Sequence, residues 1–174
     1  MQQNLFYPVL LFAFLFTSCS GNRNKTAADA STETPTAPKS AKTANHILVP
    51  NSHLYIIPPP GFAANEMTGT ITTEEGHPDI LVMKIISGTT PEIVLGQLKE
   101  EADKRSPGSW KEEELLVGGQ KAKIYHSNGM AGPQYYLAFT DGYTDEMLII
   151  NYDDADMATG KLLYEALKTV LVEN

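Results

Sequence analysis

From Asn45 onward the chain sets short apolar runs between turn-forming residues, and the apolar spacing changes from two to nearly four and back. His46–Val49 and His53–Ile57 predict two short strands around Pro50-Asn51-Ser52. The second runs into Pro58-Pro59-Pro60-Gly61-Phe62. Each proline lacks an N–H and fixes φ, so this stretch must leave the sheet as an extended edge segment, with Gly61 permitting the turn. Met67–Thr73 alternates, Glu74-Glu75-Gly76-His77-Pro78 is a loop, and Asp79–Ile86 is apolar enough for a strand covered on both faces.

The spacing then predicts a helix. Thr89 or Thr90 can cap it, Pro91 suits the first turn, and Glu92 is placed to close a capping box. Ile93, Val94, Leu95, Leu98 and Ala102 make its apolar stripe, and Ser106-Pro107-Gly108 ends it. Trp110–Val117, Gln120–Ser127, Gln134–Asp141 and Tyr143–Tyr152 predict four meandering strands. Gly118-Gly119, the loop from Asn128 to Pro133, and Asp141-Gly142 divide them. A last helix is expected from Met157 or Thr159 to Val172, burying Leu163, Ala166, Leu167, Val170 and Leu171. Strands, helix, strands, helix is an α+β order, here with an antiparallel sheet of about six strands and helices packed on its faces.

Ahead of this domain the pattern is different. Residues 5–18 form an apolar run of about 14 residues, against the roughly 20 that a spanning helix needs, which fits a leader's hydrophobic region. Phe16, Thr17, Ser18 and Cys19 resemble a bacterial lipobox, with Phe16 where leucine is commoner and no Lys or Arg in Met1–Leu5. That resemblance implies a signal peptide over 1–18 and a lipidated Cys19, the alternative being a leader cleaved elsewhere with Cys19 incidental. Residues 20–44 hold no Leu, Ile, Val, Met or aromatic residue. With nothing to bury, residues 19–44 are expected to be a lipidated cysteine and disordered tether, and 45–174 the folded domain. The expected partner through Cys19 is a membrane surface, and the expected location is the bacterial cell envelope, facing the periplasm.

Composition narrows the partners. The 174 residues carry a formal charge of −8. Arg23, Lys25, Lys39 and Lys42, against Asp29 and Glu33, precede Asn45, so the domain itself sits near −10, which disfavours nucleic acid and anionic bilayers as direct partners. A single cysteine forms no internal disulfide, and no Cys/His spacing suggests zinc, so no metal or cofactor is expected.

Tyr55-Ile56-Ile57-Pro58-Pro59-Pro60-Gly61-Phe62 resembles the opening of PsbP-like domains, with Phe62 where tryptophan is commoner. The helix, the Gly118-Gly119 turn, the Tyr135-Tyr136 strand and the Asp141-Gly142 turn before a terminal helix follow the same order, over about residues 46–173. The resemblance implies a PsbP-like α/β/α sandwich. That family includes a photosynthetic oxygen-evolving subunit, a nuclear-import release factor and many bacterial lipoproteins of unknown role, so the fold implies no reaction.

Catalytic signatures are missing: there is no GxSxG, HExxH, P-loop or GxGxxG. Asp153, Asp154 and Asp156 could bind Ca²⁺ weakly, but acidic residues just before a helix are more often caps, and an EF-hand's glycine and closing glutamate are lacking. His46, His53, His77 and His126 fall in different elements without ligand spacing; His46 and His53 could approach each other across the first hairpin, but surface histidines are far commoner than a metal pair. Glu112-Glu113-Glu114 puts charge on both strand faces, as a protected edge strand does. Trp110, Tyr135 and Tyr136 could line a ligand groove, although packing is the commoner use of such residues. Phe62 is expected to plug the space between sheet and helix, or else to meet a partner. The expectation is therefore a non-enzymatic binding or assembly module with a protein partner in the envelope. The alternative is a small-molecule-binding lipoprotein or an enzyme with an unrecognised site.

Overall fold

A computed structural model describes residues 41–129 and 132–173. The segments expected to be a leader and a tether, with Cys19 between them, lie outside the described residues up to residue 40. The described chain is α+β, with two helices, a seven-stranded antiparallel sheet and a small three-stranded sheet.

The small sheet joins strands from the two ends of the described chain, in the order β1-β2-β10. β1 (Ile47–Leu48) and β2 (Leu54–Ile56) pair as a hairpin, with Asn51 at a left-handed φ of 61°. Gly61, at φ 85°, then turns the chain after the prolines, and β3 (Ala63–Asn65) becomes one edge of the large sheet. β3 was not expected. Asn65 accepts the amides of Met67 and Thr68 on its side chain, so the residues read as the start of a strand form an Asx-type turn, and β4 is only Thr70–Thr72.

β5 (Asp79–Lys84) leads into α1 (Pro91–Arg105), which carries the chain across one face to the far edge. There β6 (Lys111–Val117), β7 (Gln120–Gly129), β8 (Gly132–Phe139) and β9 (Glu146–Asn151) meander back until β9 pairs with β5. The order is β3-β4-β5-β9-β8-β7-β6, so the triple glutamate does lie on an edge strand.

Several boundaries differ from expectation. Thr90 is the N-cap of α1 but makes no side-chain cap bond, and Thr89 donates to Ile86 O instead, so no capping box forms. Ile93, expected in the apolar stripe, is exposed. The β7–β8 ladder runs through Asn128↔Pro133 to Gly129↔Gly132, well into the stretch read as a loop. Gly118-Gly119 makes the expected two-residue turn with φ of 59° and 82°, whereas the connection at Asp141-Gly142 runs to Asp145, because Gln120 Oε1 accepts the Tyr143 amide and holds that loop inward.

The last helix is also shorter. α2 (Met157–Leu167) stops where Thr169 Oγ1 donates to Ala166 O and accepts the Ile57 amide, and β10 (Leu171–Val172) then pairs with β2. Asp156 caps α2 by accepting the Thr159 amide at 3.0 Å.

Strand alternation sorts the interior into two apolar clusters. Ile71, Ile80, Ile124, Leu137, Leu148 and Ile150 meet the small sheet and Leu163 and Leu167 of α2 on one face. On the other, Tyr125, Tyr136, Met147 and Ile149 meet Leu95 of α1. The two helices therefore cover opposite faces of the large sheet.

Candidate functional site

Cross-strand partners share a face, so the register Lys111↔His126↔Tyr135 lines up three side chains on the α2 face near the β6 edge. Tyr152, just past β9, enters from the far side, and Tyr164 of α2 closes the set from above. The rings pack as one cluster. Tyr135 lies 5.2 Å from Tyr152 at 12°, 4.8 Å from His126 and 5.5 Å from Tyr164. His126 Nε2 and the Tyr152 hydroxyl share a hydrogen bond of 2.9 Å, and the Tyr164 hydroxyl donates to the Glu113 carboxylate.

A groove of about 380 Å³ opens onto this cluster, walled by Lys111, Glu113, Ile124, His126, Tyr135 and Tyr164. Burial lowers the His126 pKa, nearby Lys111 adds to the effect, and Asp154 partly opposes it. Burial first, and then Tyr135, push the Tyr152 hydroxyl above its ordinary pKa. At neutral pH both members of the pair are uncharged, so the groove offers hydrogen bonding and aromatic faces, with Lys111, Glu112 and Glu113 as the charged residues of its lining.

The cluster depends on a glycine. Gly160 sits in α2 directly over the Tyr152 ring, and a Cβ there would come within 2.4 Å of a ring carbon. An isolated glycine inside a helical pattern is a legible hint of close approach, but it does not say to what.

The residues singled out from the sequence are divided. Tyr135 belongs to this groove, while Tyr136, one residue on, faces α1 and stacks with Trp110 at 5.8 Å. Trp110 also meets Tyr125 at 5.3 Å, so the Trp110 pair and Tyr135 line no common groove. Phe62 is half-buried against the main core and forms part of a wider groove of about 650 Å³ with Glu74, Glu75, His77, Asp153 and Asp156. Two of those carboxylates are committed: Asp156 caps α2, and Asp153 accepts the Ala155 amide at 2.9 Å. Among the described residues no group of three or more His, Cys, Asp or Glu side chains is placed to hold a metal.

His46 and His53 do not meet. His46 Nε2 reaches Thr169 O at 3.0 Å, whereas His53 turns to Glu146, whose buried carboxylate accepts the His53 amide at 3.0 Å and lies 3.3 Å from its Nδ1. Glu146 thus clips the small sheet to the large one. His126, Tyr152 and Tyr164 were not distinguished by the sequence, since each falls in a different element and only tertiary packing joins them. Compared with protein-family models, curated proteins and solved structures, the chain finds no match.

Proposed function

We propose that this chain is a lipid-anchored bacterial envelope protein whose domain, a PsbP-like α/β/α sandwich, binds a small ligand without transforming it. The observation that carries this reading is the convergence of His126, Tyr135, Tyr164 and Glu113 on one groove. A surface made only to hold a protein needs an apolar or aromatic patch; a concave site with several convergent polar groups suits a small molecule. A planar body would stack on Tyr135 and Tyr164, and a polar group would meet His126 and the rim charges of Lys111 and Glu113. Anchorage through Cys19 would keep the site at the membrane surface, with no direct contact between the acidic domain and lipid headgroups.

The test is native mass spectrometry of the full chain purified from a bacterial envelope. An added small-molecule mass on the wild type that is lost in Tyr164→Ala supports the reading. The bare protein mass in both, with a co-purifying protein lost in the variant, would transfer the same surface to an assembly role.

A further inference from the structure

The α1 face of the large sheet carries a polar relay that the groove above does not use. The Tyr136 hydroxyl donates to Gln134 Oε1 at 2.6 Å, Gln134 Nε2 donates to Asn151 Oδ1 at 2.5 Å, and Asn151 Nδ2 donates to Asp79 Oδ1 at 2.8 Å. Its direction is set at the far end. An ionised carboxylate can only accept, so Asn151 must turn its amide nitrogen to Asp79, which leaves its oxygen for Gln134 and the Gln134 oxygen for Tyr136. Ser127, 1% exposed, stands beside Tyr136 in the same groove. The amide oxygens of the relay are thereby engaged within the protein.

Beside this relay lies a groove of about 310 Å³ whose apolar side is Met83, Leu98 and Ile149. The groups left to face a ligand there are the second amide N–H of Gln134, the Arg105 guanidinium, and the Asn128 amide, which can present its NH2 to an anion. The acidic residue on the wall, Glu101, is held by Lys104 at 2.7 Å, and Arg105 approaches it no closer than 3.8 Å, so the guanidinium keeps unfilled donors. A planar fork of donors matches a carboxylate. The volume holds about ten water-sized groups, the size of a short-chain acid, and Met83 can adapt its shape to an alkyl chain.

We propose that this groove is a second binding site, for a small amphipathic carboxylate whose apolar body lies on Met83, Leu98 and Ile149 and whose anion meets Arg105 and Asn128. The inference does not rest on the tyrosine–histidine groove, which opens on the opposite face of the sheet.

Trp110 is the only tryptophan in the chain and its ring lies 5.8 Å from that of Tyr136, so its fluorescence reports on this groove. The full chain is titrated with octanoate below its micelle concentration, and in parallel with octylamine. Octanoate is expected to give a saturable change whose midpoint rises at least tenfold in Arg105→Gln, while octylamine gives none. Arg105 is a solvent-accessible residue in the last turn of α1, so the variant keeps the fold. No saturable change with octanoate, an unchanged midpoint in Arg105→Gln, or an equal response to octylamine would overturn the proposal.

Discussion

Gly160 shows two effects of one methyl group opposing each other. Alanine would improve helix propensity by about 1 kcal/mol, but its Cβ would press into the Tyr152 ring, and overpacking of that kind costs roughly 1–3 kcal/mol. The ring is pinned by Tyr135 and His126, so the clash wins, and Gly160→Ala should lower the urea midpoint; a raised midpoint would show that the ring moves freely. His126 makes stability depend on pH. Its folded pKa lies below the unfolded value of about 6.5, so the unfolded chain binds the proton more readily and stability falls as pH drops through that value, levelling off below the folded pKa. Carboxylates held low by partners, such as Asp156 capping Thr159, add their losses only at more acidic pH. Between pH 7 and 5 the melting temperature should therefore fall less for His126→Gln than for wild type, and parallel curves would remove His126 from the account. Phe62 is half-buried, which places Phe62→Ala near 2 kcal/mol, about half the 3–5 kcal/mol of a fully buried phenylalanine. An unchanged denaturation midpoint would mean that Phe62 serves the groove it lines and not the core.

At the scale of elements, hydrophobic period and turn residues were enough to find most strands and both helices, but not where each stops. α2 is the clearest case. Leu163, Ala166, Leu167, Val170 and Leu171 continue one apolar pattern, yet the helix ends at Leu167. Thr169 decides it, since its hydroxyl satisfies the Ala166 carbonyl and the Ile57 amide at once, at 2.7 and 2.9 Å, and releases Leu171 to pair with Tyr55. Thr169→Val keeps the shape and strands both partners, so a loss of about 1–3 kcal/mol is expected in chemical denaturation, with amide exchange accelerated at Ile57. A variant as stable as wild type would show that water replaces the hydroxyl. The edge strand β6 was legible for a different reason. Glu112 and Glu114 lie near Lys123, with Glu114 at 2.8 Å, while Glu113 turns to Tyr164 on the other face, a split that strand alternation alone dictates.

For the whole molecule, the N-terminal pattern carries the strongest localisation argument. Cys19→Ser should leave the protein without lipid and reduce its recovery with membranes, and radioactive fatty acid labelling wild type and variant equally would defeat that assignment. The described chain begins at Ala41, and Thr43 already bonds His46, its amide 3.0 Å and its hydroxyl 2.9 Å from Nδ1, so contact with the domain starts slightly ahead of Asn45. What the sequence by itself determined is local: the α+β order, the Gly118-Gly119 turn, the break at the three prolines and the acidic balance. Each follows from φ preferences, alternation or charge, which act over a few residues. The tertiary structure decided which faces meet. Tyr135 and Tyr136 are neighbours in sequence and opposites in space, and His126, Tyr152, Tyr164 and Gly160 are far apart in sequence and packed together. Sheet register and helix placement fix those contacts, and both arise from burial summed over the whole domain, so no single segment encodes them.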